Sequence, residues 1–226
     1  LPLQKRPPKG QRRLRILFDL VPLLGIVIGV KHHTFGLNAF DQHDTIGDVS
    51  GGGSGFGKAI ACLLARLGAN VAICGRNEEK LAATVPLLES MGVRVFSAPL
   101  TIRDPDRVNR FIDDVWNKFG TLDVLVNNAG GQFPQMALDF KVKGWDAVID
   151  TNLNGTWYMM QSAARQWVDR KTPGSIVNIS SIAGLIASDT MPAYNSSKAA
   201  VWMLTKSIAL HCAKKNMQIR CNSVHP

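Results

Sequence analysis

Apolar residues recur at helical spacing across 58–67, through Ile60, Ala61, Leu63, Leu64 and Leu67, and predict an amphipathic helix that ends at Gly68. The short apolar run 71–74 after it reads as a strand. Two further runs, 122–126 and 174–179, are rich in Leu, Val and Ile and read as strands buried in a parallel sheet. Helices are expected after Asp104-Pro105, across 152–168 and across 192–212, with 219–224 as a last strand. Strands alternating with helices predict an α/β architecture.

The polar residues of this pattern gather where the strands stop. The cluster Ser50-Gly51-Gly52-Gly53-Ser54-Gly55-Phe56-Gly57 precedes the first helix. Glycines at a strand-to-helix turn let backbone N–H groups approach a phosphate, and the helix N-terminus adds its positive dipole end. The spacing Gly51-x-x-x-Gly55-x-Gly57 differs from the general G-x-G-x-x-G fingerprint. A Gly-rich surface loop is the plainer reading, against which stands the ordered strand, helix and strand around it. The run 122–126 ends in Asn127-Asn128-Ala129-Gly130, and 174–179 ends in Ser180-Ser181. Ligands of parallel sheets bind outside the carboxyl ends of the strands, so these groups are expected on one rim.

Tyr194 and Lys198 stand four residues apart and would share a helix face. A phenol ordinarily loses its proton near pH ~10. A neighbouring ammonium favours the phenolate, which suits the phenol to proton transfer. Alone, Tyr-x-x-x-Lys is a weak pattern; its weight comes from the motifs upstream.

Together, Gly-x-x-x-Gly-x-Gly, Asn-Asn-Ala-Gly, a serine thirteen positions before the tyrosine, and Tyr-x-x-x-Lys resemble the short-chain dehydrogenase/reductase family over 50–226. The resemblance implies a single Rossmann-type, doubly wound parallel sheet with helices on both faces. It also implies hydride transfer between a nicotinamide cofactor and a carbonyl or alcohol. By the same resemblance Tyr194 is the general acid/base, Lys198 supports it and holds the nicotinamide ribose, and Ser181 hydrogen-bonds the substrate oxygen. Asn152 matches the family asparagine of a proton relay through Lys198. On chemistry alone a helix cap explains Asn152 equally well. The cofactor-binding set implied is Gly51, Gly53, Ser54, Gly55, Phe56, Gly57, Arg76, Thr101, Ile102, Asn128, Ala129 and Gly130, with Tyr194 and Lys198. Thr101 and Ile102 stand where the family usually has Asp and an apolar residue near the adenine; the Asp is missing.

After the second strand an acidic group would accept the ribose hydroxyls of NAD. This chain has Gly75-Arg76 there, and a guanidinium offers bidentate donors to the extra phosphate of NADP. NADP(H) is therefore expected over NAD(H), the alternative being a solvated Arg in a polar loop that continues through 77–80. The segment between Ser181 and Tyr194 is mostly apolar and would wall the substrate site, which favours a lipophilic ketone or secondary alcohol. The runs 130–134, 143–145 and 152–156 also resemble the peroxisomal trans-2-enoyl-CoA reductase branch, so an acyl-CoA substrate is the second expectation. A third is a catalytically impaired fragment that only binds nucleotide.

Length and an apolar share of 46% suffice for one domain with a sizeable core. Cys62, Cys74, Cys212 and Cys221 have no Cys-x-x-Cys spacing and read as reduced, mostly buried thiols, which points to a cytoplasmic, reducing compartment. The histidines form no metal motif, and no catalytic metal is expected. Of the net charge of +9, six units come from Lys5, Arg6, Lys9, Arg12, Arg13 and Arg15, where no acid intervenes. Basicity is thus a property of the leader, and a nucleic-acid partner is not expected.

Residues 1–44 are expected to lie outside the fold, with 45–226 forming the nucleotide-binding catalytic domain. The apolar run 16–30, broken by Asp19 and Pro22, is too short to span a bilayer. Extra sequence from an inexact gene start, an interfacial membrane anchor and a packed accessory segment remain as readings of it. Asp48 breaks the apolar first strand and would be costly in a buried sheet unless paired. With the sequence read to Pro226, the resemblance leads one to expect that the family's substrate lid and last strand are missing. The resemblance further implies a homodimer or homotetramer built on the helices at 152–168 and 192–212, a face that Trp157, Tyr158, Met159 and Met160 would fit, as would core packing.

Overall fold

A computed structural model describes residues 45–226, and the expectations for 1–44 lie outside these. Six parallel strands form one sheet: β1 (Ile46–Ser50), β2 (Asn70–Gly75), β3 (Val95–Pro99), β4 (Val124–Asn127), β5 (Gly174–Ile179) and β6 (Ile219–Val224). Their order is β3-β2-β1-β4-β5-β6. The chain winds outward from β1 in one direction, then crosses to β4 and winds in the other. A crevice therefore opens between the carboxyl ends of β1 and β4, the switch point of such sheets.

The connecting helices are α1 (Gly55–Arg66), α2 (Glu78–Ala82), α3 (Val85–Glu89), α4 (Pro105–Phe119), α5 (Val142–Ile149), α6 (Gly155–Arg170) and α7 (Pro192–Lys214). Local chemistry sets several of their ends. At α4 the Asp104 carboxylate accepts from the N–H groups of Asp106 (3.0 Å) and Arg107 (3.1 Å), and Pro105 stands in the first turn. Gly120, at φ 81°, ends the same helix in the left-handed region. The run 77–80 is no loop: Asn77 caps α2 by accepting from Lys80 N at 2.8 Å.

Successive strand residues point to opposite faces. On one face of β1, a Cβ at Gly47 would lie 2.7 Å from Leu64 Cδ1, so α1 packs directly on that strand. On the other face Ile46, Ala72, Leu125 and Ile176 meet Phe111 and Ile112 of α4 and Met159 and Trp167 of α6. Met159 and Met160 are buried in this core, so neither supplies an exposed assembly face. The Trp167 indole N–H donates to the Leu122 carbonyl, and its ring fills the space a side chain at Gly174 would need.

Asp48 belongs to this second face, beside Ala72 and Leu125 in register, and is 0% exposed. The strand forms around it even though neither carboxylate oxygen has a hydrogen-bond partner. Burial pushes its pKa from 3.8 to about 8, and the nearby backbone of Val49, too poorly placed to bond either oxygen, offsets only part of this. The carboxyl is thus held as a neutral acid at neutral pH.

Candidate active site

The glycine turn is shaped by close approach as much as by backbone freedom. Gly51, at φ +72°, donates its N–H to Cys74 O at 2.8 Å, and a Cβ on it would lie 2.8 Å from Asn128 Nδ2. A Cβ on Gly57 would lie 2.3 Å from Gly51 O, so the first turn of α1 rests on the turn it follows. Ser54 caps α1 in an extended conformation without a side-chain bond, and no acid occupies the first turn. The leading N–H groups of α1 are left to an anion, with Ser54, Gly55 and Phe56 exposed around them. Bare backbone, an open helix terminus and no competing carboxylate fit the pyrophosphate of a dinucleotide. Gly57→Ala is expected to force the helix off this turn, lowering the melting temperature and weakening dinucleotide binding by at least about tenfold in a fluorescence titration.

Across the crevice, the Ser50 hydroxyl accepts from the N–H groups of Asn128 and Ala129, both at 3.0 Å, while Asn128 Nδ2 donates to Ser50 O at 2.9 Å. Three bonds thus latch the loop after β4 to the loop after β1. Behind them Asn127 Nδ2 donates to Asn178 Oδ1 at 2.9 Å, and Asn178 Nδ2 donates to Thr205 Oγ1 at 2.9 Å, tying β4, β5 and α7 together. Sequence reasoning gave Ser50 no role; its position, a hydroxyl ending an otherwise buried strand, was the available signal.

Asn152 does not act as a side-chain cap. It lies within a π-helical turn, Asp150–Asn154, that runs into α6. Such turns are rare and gather at functional sites. Its carboxamide is fully buried: Oδ1 accepts from Gly131 N at 2.9 Å, and Nδ2 donates to Gly131 O and to Ser197 Oγ, each at 3.0 Å. Ser197 Oγ in turn donates to Tyr194 O at 2.8 Å. A Cβ on Gly130 would lie 3.1 Å from Asn152 Oδ1 and 3.5 Å from Lys198 Nζ. The loop after β4, the π turn and α7 therefore meet at one point.

Lys198 is 5% exposed, and its ammonium donates to Ile179 O at 2.6 Å. It lies 5.6 Å from the centre of the Tyr194 ring. Desolvation by burial lowers its pKa from 10.5 to about 8. Ser180, next to the end of β5, anchors this helix by donating to Lys198 O at 2.8 Å. The Ser181 hydroxyl accepts from Ala183 N at 3.2 Å and faces Pro226 O at 3.5 Å, a distance at which little bonding remains. The rim thus carries a half-buried phenol, a cation beside it and a weakly engaged hydroxyl.

Arg76 follows β2 and is exposed, with no hydrogen bond or ion pair to another described residue. Ile102 is not presented to the rim. Its side chain is 5% exposed and fills the space a side chain at Gly155 would need. Thr101 is half-buried beside it. Among the described residues no group of three or more His, Cys, Asp or Glu could hold a metal ion, and no helix is long and apolar enough to cross a membrane.

Residues 48–226 match the family model described as short chain dehydrogenase. The chain is 38% identical over 179 residues to the 3-oxoacyl-[acyl-carrier-protein] reductase of Staphylococcus aureus, covering 79% of this chain and 72% of that protein. A short chain dehydrogenase from Bacillus anthracis superposes with a TM-score of 0.78 at 33% identity, over 81% of this chain and 76% of the other. The actinorhodin polyketide ketoreductase carrying a Phe-to-Trp substitution, solved with NADPH, gives a TM-score of 0.77 at 30% identity, over 81% and 70%. Sheet order, glycine turn and matched span agree: the chain belongs to the short chain dehydrogenase family of NAD(P)(H)-dependent oxidoreductases.

Proposed function

We propose that this enzyme is an NADP(H)-preferring reductase of a lipophilic ketone, or a dehydrogenase of the matching secondary alcohol, with Tyr194 as its general acid/base. The observation that carries this reading is the buried Lys198 ammonium, fixed by Ile179 O and directed at the Tyr194 ring on the rim that also holds the glycine turn. A bound nicotinamide supplies the hydride to the carbonyl carbon or takes it from the alcohol. As negative charge builds on the substrate oxygen, Tyr194 gives it a proton and Ser181 a second hydrogen bond. Both interactions are stronger in the transition state than in the ground state and so raise the rate. Lys198 favours the phenolate that remains, and Asn152 holds the loop after β4 against α7 so that the phenol and ammonium keep their geometry.

Carbonyl reduction accords with the two relatives whose names state it, a 3-oxoacyl-[acyl-carrier-protein] reductase and a polyketide ketoreductase, the latter solved with NADPH. The apolar segment between Ser181 and Tyr194 supports a lipophilic substrate. Exposed, and without a partner among the described residues, Arg76 supports the phosphate-bearing cofactor. Titration by nicotinamide fluorescence is expected to give tighter binding of NADPH than of NADH. Arg76→Ala should weaken NADPH about tenfold and leave NADH unchanged, as loss of one charge-assisted contact predicts. Equal affinity for the two cofactors in the wild type would overturn the preference. Offering a ketone and an enoyl thioester side by side as NADPH oxidants separates carbonyl from ene reduction.

A further inference from the structure

Asn195 follows Tyr194 on α7, and its carboxamide reaches three backbone groups of one loop. Nδ2 donates to Ala183 O and, at 2.9 Å, to Ile186 O, while Oδ1 accepts from Ser188 N at 3.4 Å. All three belong to the segment between Ser181 and Tyr194. The segment's own bonds are short-range: Gly184 N–H to Ser181 O and Leu185 and Ile186 N–H to Ile182 O, all 2.9 Å, around the 3-10 turn Ile182–Gly184, and the N–H groups of Thr190 and Met191 to Ser188 Oγ and O respectively, both 3.4 Å. It rests closely on α7, since a Cβ at Gly184 would lie 2.9 Å from Ala199 N. Its far end is joined to the loop after β4, where Gln135 N donates to Thr190 O at 2.9 Å. Ile182, Leu185 and Ile186 are exposed at 54%, 54% and 63%, forming an apolar lip beside the catalytic helix.

Holding an exposed irregular segment in one conformation costs on the order of 1 kcal/mol per residue in backbone entropy. A carboxamide suits this fastening because it offers two donors and an acceptor on one planar group. A carboxylate of the same shape would set its oxygens against the carbonyls of Ala183 and Ile186.

We propose that Asn195 is the positioning residue of the substrate wall: it fastens 183–188 to α7 one residue from Tyr194 and thereby sets selectivity for longer over shorter lipophilic ketones. This rests on the ketone reading of the site. The apolar lip contacts the chain of the substrate, not its reacting carbonyl, so the effect falls on KM for long substrates.

The test is steady-state kinetics with NADPH and a series of methyl ketones of increasing chain length, together with amide hydrogen exchange over 183–190. In the wild type KM should fall as the chain lengthens. Asn195→Ala should reduce the advantage of the longest ketone over the shortest about tenfold, keep kcat and NADPH affinity within about twofold, and speed exchange across 183–190. Asn195→Asp, nearly isosteric and less exposed to packing loss, should behave like Asn195→Ala. Either variant keeping the wild-type chain-length preference, or unchanged exchange in 183–190, overturns the proposal. A wild type that binds NADPH yet neither binds nor turns over any ketone of the series overturns the ketone reading and this inference with it.

Discussion

Tyr194→Phe is expected to lower kcat by about 10³-fold or more while leaving NADPH affinity within about twofold. The substitution removes one hydroxyl and keeps the ring, which stands half-buried at the start of α7. Under the proposed function the cofactor contacts assigned to the glycine turn, the α1 N-terminus and Arg76 are untouched. What is lost is the proton for the substrate oxygen, together with a hydrogen bond that strengthens as charge develops there. Single-turnover assays with excess NADPH, paired with a fluorescence titration of the same preparation, read the two quantities separately. Retained turnover would remove Tyr194 from the chemistry.

The pH profile carries a second expectation from the same pair. Burial holds the Lys198 pKa at about 8, so its charge is complete well below that pH and is lost above it. A neutral amine no longer favours the phenolate. The free-enzyme profile of kcat/KM should therefore bend downward as pH rises through about 8, and Lys198→Met should lower the plateau and remove that bend. In the unfolded chain the same lysine keeps its proton to about pH 10.4. Between those values unfolding takes up a proton, so this residue adds to stability as pH rises from about 8 to about 10.4.

Asp48→Leu is expected to stabilise the domain by several kcal/mol at pH 8 and by much less at pH 4. Both carboxylate oxygens are buried without a partner between Ala72 and Leu125. The nearby titratable group is Cys74, itself buried with its pKa pushed well above 9, so no cation faces the acid from that side. Folded, Asp48 keeps its proton to about pH 8; unfolded, it releases it near pH ~3.9. Between these values unfolding releases a proton, so stability falls as pH rises from about 4 to about 8 and levels off beyond. A pKa raised from about 3.9 to about 8 sets an upper bound of about 6 kcal/mol on that fall. Leucine removes both the slope and the cost of burying an unpaired acid, about 1–3 kcal/mol even when neutral. Urea unfolding at pH 4 and pH 8 measures both. A wild-type stability that does not change between these pH values would mean that the carboxyl is satisfied.

Local patterns made much of the fold legible. The helix at 58–67 appears as α1, begun three residues earlier at Gly55, and the apolar runs appear as β2, β4 and β5. Asp104-Pro105 and Gly120 bracket α4 because caps act within one turn of chain. By contrast β3, α3 and α5 gave no usable signal. Every residue but one of β3 is only partly buried and the other two are short, so their conformation rests on neighbours rather than on periodicity. Asn77, in a run that reads as loop, turned out to cap α2.

Of the candidate site, the sequence determined the residue types: which glycines, which phenol, which ammonium, which amides, and the family they belong to. Those signals survive in a linear reading because each motif is short and its members are local partners. Only the tertiary structure decided what each group touches. Ser50 latches a loop 78 residues away, Asn152 binds Ser197 across 45, and Ile102 turns into the core instead of the rim. Asp48 could be read as a misfit, but its lack of any partner is a property of the closed sheet. Long-range hydrogen bonds and desolvation depend on which distant atoms folding brings together, and no local periodicity records that.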